Sequence, residues 1–217
     1  MTIQSFTFGP FQTNTYVVSV GEHILLIDPA CSNPYEQQVL LNYIERLPIV
    51  NDDKSANKSS NRQSSNRQLS IVATHGHLDH LWGAAWATEY WHAPVLMHEA
   101  DIPMAKAMQD QYEMFGIRAY APPFPIEPLK DISSIVHCPL SIIHTPGHTP
   151  GSICLYWPEE KVLISGDTLF CMGFGRTDLP GGNYGQLVQS LNTLFDLPED
   201  VLVYPGHGET TTIGAEK

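Results

Sequence analysis

The sequence predicts an α/β fold, a four-layer αββα sandwich in which two sheets pack face to face and helices cover their outer sides. Strands precede helices in both halves of the chain. Apolar strand-like runs in both halves end in tight turns that carry a histidine or an aspartate, so the polar loops gather at one sheet edge. At 217 residues, with 42% hydrophobic and 16% charged content, the chain can bury a sizeable core. One domain spanning residues 1–217 is the expectation.

The elements follow from local pattern. Ile3 to Phe8, Thr15 to Val20 and His23 to Ile27 read as strands, with Gly21-Glu22 a tight hairpin turn. Tyr35 to Leu47 reads as a helix, because Val39, Leu40, Tyr43, Ile44 and Leu47 recur at helical spacing and Pro34 suits a first turn. Asn51 to Gln68 holds one alanine as its only apolar residue and is expected to be a flexible, solvated polar insertion of low complexity. Leu69 to Ala73 is a strand. Leu81 to Trp91 should be helical, its Trp82, Trp86 and Tyr90 stripe facing the core. Pro94 to Met97 reads as a buried strand, Ala100 to Phe115 as a helix, and Ala119 to Pro128 as an extended segment able to cover one edge of a site. Ser141 to Ile143, Leu163 to Ser165 and Val201 to Val203 are further strands, with a helix over Tyr184 to Phe195.

Chemistry concentrates in Thr74-His75-Gly76-His77-Leu78-Asp79-His80, which sets four metal-competent side chains within six residues directly after an apolar run. A helical zinc motif spaces its histidines four apart. Here they are two apart with Gly76 between them, so the segment is a loop leaving a strand, with His75 and His77 free to turn toward one ion and Asp79 and His80 toward a second. His148 in Thr145-Pro146-Gly147-His148-Thr149-Pro150-Gly151, Asp167 in Ser165-Gly166-Asp167, and His207 in Pro205-Gly206-His207-Gly208 each follow a strand. Singly, each would read as a turn residue. Together they complete a two-metal set, because a carboxylate such as Asp167 can offer one oxygen to each cation.

His75-x-His77-x-Asp79-His80 followed by His148, Asp167 and His207 resembles the metallo-β-lactamase-fold hydrolases, and within them the glyoxalase II-like branch. Phe11-Gln12-Thr13-Asn14-Thr15-Tyr16, Ile27-Asp28-Pro29, Gly166-Asp167-Thr168-Leu169-Phe170, Gly175-Arg176-Thr177-Asp178 and Gly206-His207-Gly208-Glu209-Thr210-Thr211 add to the resemblance, which covers nearly the whole chain. It implies the metallo-β-lactamase fold and two divalent ions. His75, His77 and His148 would hold the first, Asp79, His80 and His207 the second, with Asp167 bridging. Imidazole and carboxylate ligands without thiolate suit zinc, and also iron or manganese. A hydroxide between the ions would be the nucleophile, since coordination lowers the pKa of water from about 15.7 to about 7. Asp79 would orient it, and the substrate would be a small-molecule thioester such as an S-2-hydroxyacylglutathione. Arg176 either meets a substrate carboxylate or locks its loop by pairing with Asp178. Full-length glyoxalase II continues into a helical segment that helps hold glutathione, whereas this chain stops at Lys217, so weak selection for glutathione is expected.

Three other readings share parts of the pattern. A persulfide dioxygenase is similar through Gly175-Arg176-Thr177-Asp178 but holds one iron with two histidines and an aspartate. A β-lactamase, or a hydrolase of another ester or lactone, would share the fold. A non-catalytic metal-binding module would predict an incomplete ligand set. The formal charge of −12 disfavours a nucleic-acid partner, because phosphate binding needs clustered Lys and Arg. Met1 to Val20 lacks a basic start leading into an apolar core, and no apolar run approaches the about 18 to 20 residues that span a bilayer, so a cytoplasmic protein without a membrane partner is expected. Cys31, Cys138, Cys154 and Cys171 form no Cys-x-x-Cys pair, which agrees with a reducing compartment. His23, His92, His98, His137 and His144 have no ligand context, although His98 closes a strand and could support the site. No heptad or exposed apolar stripe speaks to oligomeric state.

Overall fold

The computed structural model describes residues 1–47, 68–130 and 139–217. Strands β1 (Thr2–Phe8), β2 (Thr13–Val20) and β3 (His23–Ile27) form an antiparallel meander. Helix α1 (Pro34–Arg46) follows. It starts where the Asn33 side chain accepts the Glu36 N–H at 3.1 Å and Pro34 occupies the first turn, where its missing N–H costs nothing. Strands β4 (Gln68–Val72), β5 (Val95–Met97) and β6 (Ile126–Pro128) then extend the sheet in parallel, giving the order β1-β2-β3-β4-β5-β6. Helix α2 (Ala84–Trp91) joins β4 to β5, and a 3₁₀ turn (Glu99–Asp101) leads into α3 (Ile102–Lys106) and α4 (Met108–Met114).

The second sheet is built from β7 (Ser141–His144), β8 (Ile153–Trp157), β9 (Val162–Gly166), β12 (Leu202–Pro205) and β13 (Thr211–Thr212) in the order β13-β12-β9-β8-β7. A small ribbon of β10 (Leu169–Phe170) and β11 (Gly173–Phe174) follows β9. Helix α5 (Tyr184–Phe195) covers this sheet, and α6 (Ile213–Glu216) ends the chain.

Strand alternation makes the four layers. Tyr16, Val18, Leu25, Ile27 and Val72 point inward and meet Leu155, Trp157 and Ile164 of the second sheet. Their neighbours Val17, Leu26 and Ile71 point the other way and pack with Leu40, Ile44, Ala84 and Ala87 of α1 and α2. Cys154, Leu163 and Val203 meet Leu187, Leu191 and Leu194 of α5. Each fully buried Leu or Ile contributes about 1.5–3 kcal/mol, so three such clusters hold the sheet edges firmly enough to aim loops.

The αββα sandwich predicted from strand order is present. Several element boundaries differ. The helix expected from Leu81 begins only at Ala84, because a Cβ on Gly83 would sit 2.9 Å from the Pro29 carbonyl oxygen and the chain must turn tightly there. In its aromatic stripe, Trp82 and Trp86 are half-buried against the core, but Tyr90 is exposed and donates a hydrogen bond to Glu45. The single helix expected over Ala100 to Phe115 is three short pieces, with Pro103 opening the second and Ala107, at φ −88° and ψ 29°, jointing the last two. Strand β8 stands between the strands expected at Ser141 to Ile143 and Leu163 to Ser165 and has no counterpart among the expected elements. The polar insertion expected over Asn51 to Gln68 gives up its last residue, since Gln68 pairs with His23 in β4, and its remainder lies outside the described residues, as do His137 and Cys138. No helix among the described residues is long and apolar enough to cross a membrane.

Candidate metal centre

Strand register puts the first ligand loop in position. Pairing of Ile27 with Val72 leaves Asp28 beside Thr74, whose N–H donates to Asp28 Oδ1 and whose hydroxyl donates to Oδ2, each at 2.7 Å. Further along, the Gly76 N–H donates to Asp101 Oδ2 at 2.8 Å and the Leu78 N–H to Gln111 Oε1 at 2.9 Å, while Gln111 Nε2 donates back to the Gly76 carbonyl at 3.0 Å. A buried loop must pair its backbone polar groups. Here side chains from the 3₁₀ turn and α4 do so. The same Asp101 accepts from Thr149 Oγ1 and the Gly151 N–H, both at 2.6 Å, and thereby ties the His148 turn to the His75 loop. The His207 turn is fixed from the first sheet: Asn14 Nδ2 donates to the Pro205 and Gly208 carbonyls at 3.0 Å, and Asn14 N–H to the Gly206 carbonyl at 2.7 Å.

These constraints converge seven side chains. His75 Nε2 lies 3.1 Å from His77 Nδ1, which lies 2.8 Å from His148 Nε2. Asp79 Oδ2 lies 3.2 Å from His207 Nε2 and 3.5 Å from His80 Nε2. Asp167 stands between the two triads, with Oδ1 3.2 Å from His80 Nε2 and Oδ2 3.5 Å from both His148 Nε2 and His207 Nε2. Donors about 2.0–2.2 Å from a tetrahedral cation are separated by about 3.3 Å, which is the spacing found. His80 Nε2 and Asp167 Oδ1 are buried, face each other at 3.2 Å and, among the described residues, make no well-aligned hydrogen bond. An unmet buried polar group costs about 1–3 kcal/mol, so the pair is arranged for something that bonds both, as a cation does. Close approach is built in as well: a Cβ on Gly206 would overlap Asp167 Oδ1, and one on Gly175 would overlap the Asp167 carbonyl. The residues fit a bound metal pair.

The far nitrogens set the ring orientations. His80 Nδ1 meets Asp28 Oδ2 at 2.8 Å, His148 Nδ1 donates to the Arg176 carbonyl at 2.7 Å, and His75 Nδ1 meets Thr74 Oγ1 at 3.1 Å. Each leaves Nε2 facing the centre. Burial pushes the His77 imidazole down to about 3, with His148 adding to the effect, and lowers His75 well below its ordinary value. At His207 burial acts downward, but hydrogen bonds to Asp167 and Asp79 outweigh it and raise the ring to about 9. Burial would raise Asp79, yet the His80 charge and bonds from His207 and Thr13 bring it down to about 2. Asp167 is held well below the carboxylate range by the same neighbours against its own burial. At neutral pH His75 and His77 are therefore neutral and Asp79 and Asp167 ionised, the states that bind cations, whereas the neighbouring carboxylates raise His80 and His207, whose protons a bound cation would replace.

A cleft of about 140 Å³ opens over these residues, lined by Phe11, Leu78, Phe115, Arg176 and Leu179 beside the ligands. A larger, shallower concavity of about 660 Å³ next to α4 is lined by none of the seven. Arg176 forms the pairing weighed from sequence: Nε and one terminal nitrogen meet the two Asp178 carboxylate oxygens at 2.6 and 2.7 Å, in an exposed position. His98 takes no part in the centre; its Nδ1 accepts the Ala100 N–H and its ring stacks on His144 at 4.2 Å. Sequence reasoning quoted Asp28 only as part of a motif, and passed over Asp101, Gln111 and Thr13 as site residues. Thr13 donates to Asp79 Oδ2 at 2.7 Å.

With this geometry in view, the comparisons with known proteins agree. The family model described as the metallo-beta-lactamase superfamily matches residues 8–207. Hydroxyacylglutathione hydrolase GloC of Haemophilus influenzae is 37% identical over 152 residues, covering 68% of this chain and 72% of that protein. Probable metallo-hydrolase YqgX of Bacillus subtilis is 33% identical over 214 residues, covering 96% of this chain and 91% of that protein. Among solved structures, a di-iron-bound form of TTHA1623 superposes with a TM-score of 0.80 at 33% identity, covering 98% of this chain and 96% of that one. On the extent of that family match and the identity to YqgX over nearly the whole of both chains, the chain belongs to the metallo-beta-lactamase superfamily.

Proposed function

We propose that this protein is a dimetal hydrolase of the glyoxalase II-like kind, cleaving a small-molecule thioester. The observation that carries the reading is Asp167 standing between two complete donor triads, one of His75, His77 and His148 and one of Asp79, His80 and His207. Two divalent ions held there, zinc or else iron or manganese, would supply Lewis acidity and a water activated at neutral pH. Asp79 keeps one oxygen on the His207 side and takes the Thr13 hydroxyl, a fixed carboxylate suited to orienting that water. Hydrolysis forms a bond from the water oxygen to the acyl carbon and breaks the C–S bond, with the electron pair leaving on sulfur and a water-derived proton completing the thiol. Leu78, Phe11 and Phe115 give one side of the cleft an apolar wall. A thioester suits the site because the leaving thiolate needs no protein acid. The GloC relative's name and the di-iron form of the similar structure support the substrate class and the two ions.

The test is metal content measured alongside thiol release from S-lactoylglutathione and related thioesters. Two ions per chain with turnover are expected. One tightly bound ion, an unligated His207 and oxygen uptake with glutathione persulfide would instead assign the protein as a dioxygenase.

A further inference from the structure

The cleft over the ligands has two unlike walls. On one side Phe11, in the turn between β1 and β2, meets Phe115 at the end of α4 edge to face, with ring centroids 5.5 Å apart and planes at 81°. Both rings remain partly exposed, at 37% and 39%, although both line the cleft beside Asp79 and His207. One of them is anchored from behind. Phe11 packs on Trp82 at 6.1 Å, and Trp82 on the core residue Tyr112 at 5.4 Å. Rings held by the core but left wet next to a reacting centre gain when a ligand covers them.

The other wall offers an anion little. Among the described residues, Arg176 is the cleft's one cationic side chain besides its histidines, and Asp178 already engages its guanidinium at two points. A carboxylate on the substrate would meet only the remaining N–H groups of a guanidinium whose charge Asp178 already offsets, in an exposed position where such a pair yields little. The chain's formal charge of −12 adds long-range repulsion.

We propose that Phe11 and Phe115 are specificity-determining residues, and that they take an uncharged, apolar thiol arm of the thioester in preference to a carboxylate-bearing arm such as that of glutathione. This rests on the thioester reading above. The rings touch the leaving portion and leave the acyl carbon to the ligand side, so they act on thiol selection and not on the bond-breaking step.

The experiment compares kcat/KM of the metal-loaded protein for two lactoyl thioesters, one of glutathione and one of 2-phenylethanethiol, both alkyl thiols. The phenylethyl ester should be favoured about tenfold, the scale of burying one ring against two others. Phe11→Ala and Phe115→Ala should each shrink that ratio toward one by lowering kcat/KM for the phenylethyl ester. Asp178→Asn, which leaves the ridge untouched and frees Arg176, should narrow the ratio from the other side by raising kcat/KM for the glutathione ester. Cleavage of both esters with glutathione equal or favoured, or a ratio that neither ring truncation moves, would overturn the proposal alone. Thiol release from neither ester would overturn the thioester reading and the proposal with it.

Discussion

Asp28 holds His80: its Oδ2 lies 2.8 Å from His80 Nδ1, while the same carboxylate accepts both the N–H and the hydroxyl of Thr74, which in turn meets His75 Nδ1. One buried carboxylate thereby orients an imidazole of each donor triad. Its backbone, at φ 52°, turns sharply out of β3 to do so. Such strain in a non-glycine residue persists where surrounding contacts over-determine it.

Asp28→Asn should therefore weaken metal binding without changing the fold. An amide presents one oxygen and one N–H₂ to three donors, so either Thr74 or His80 loses its partner. Loss of such a supporting contact lowers metal affinity about 10–100-fold. Chelator competition would measure it, with circular dichroism as the fold control. Unchanged affinity would mean that His80 is oriented by packing alone.

Asp167→Ala should lose both ions more readily than His77→Ala, because among the described residues Asp167 is the carboxylate with oxygens within 3.5 Å of donors in both triads. Metal stoichiometry after gel filtration distinguishes the two. If His77→Ala were the more depleted variant, Asp167 would not bridge.

Asp101→Ala should destabilise the protein by roughly 2 kcal/mol or more, since it orphans the Gly76 and Gly151 N–H groups, each worth about 1–3 kcal/mol when buried, and leaves the Thr149 hydroxyl with Ser152 Oγ as its remaining partner. Denaturant unfolding measures this. A loss under 1 kcal/mol would show that water enters and takes over the carboxylate's bonds.

The contrast between Asp167 and Asp101 explains what was legible in the sequence. The seven donors stood out because metal-competent residues crowd into short turns just after apolar strands, a local signal. The sandwich was legible for the same reason, since strand alternation and helix spacing are local. Asp28, Asp101 and Gln111 act on partners 46, 25 and 33 residues away, and a single Asp or Gln carries no mark of such a distant bond. Asp101 also hid inside an expected helix, where the 3₁₀ turn that aims it depends on tertiary contacts. Arg176 stayed ambiguous because a bidentate pair and a substrate contact need the same residues.

Thiol chemistry should separate the cysteines. Burial raises the Cys31 thiol to about 12, with Glu36 adding to it, and raises Cys154 to about 11. At pH 8 the thiolate fraction is then on the order of 10⁻³ or less, too little for alkylation. Cys171 is exposed. Iodoacetamide followed by peptide mapping should modify Cys171 and spare Cys31 and Cys154 in the folded protein. Rapid labelling of Cys31 would indicate that the loop after β3 opens.

Metal removal should destabilise the protein more at high pH than at neutral pH. In the metal-free protein His207 is raised to about 9, above its unfolded value near 6.5, so its protonated ring contributes stability that is fully present below 6.5 and is lost as pH rises through 9. Asp79, lowered to about 2, contributes above its unfolded value and loses that only as pH falls through 2, so it does not change over this range. A bound cation takes the place of the proton on His207 and removes the dependence. Melting temperatures taken from pH 6.5 to 9 should fall with pH for the chelated protein and stay level for the metal-loaded one, so the gap between them widens. At fixed pH, free metal at about 100 times Kd should restore about 2.7 kcal/mol. A constant gap across that range would mean that neither His207 nor His80, which the same carboxylates also raise, exchanges its proton for metal.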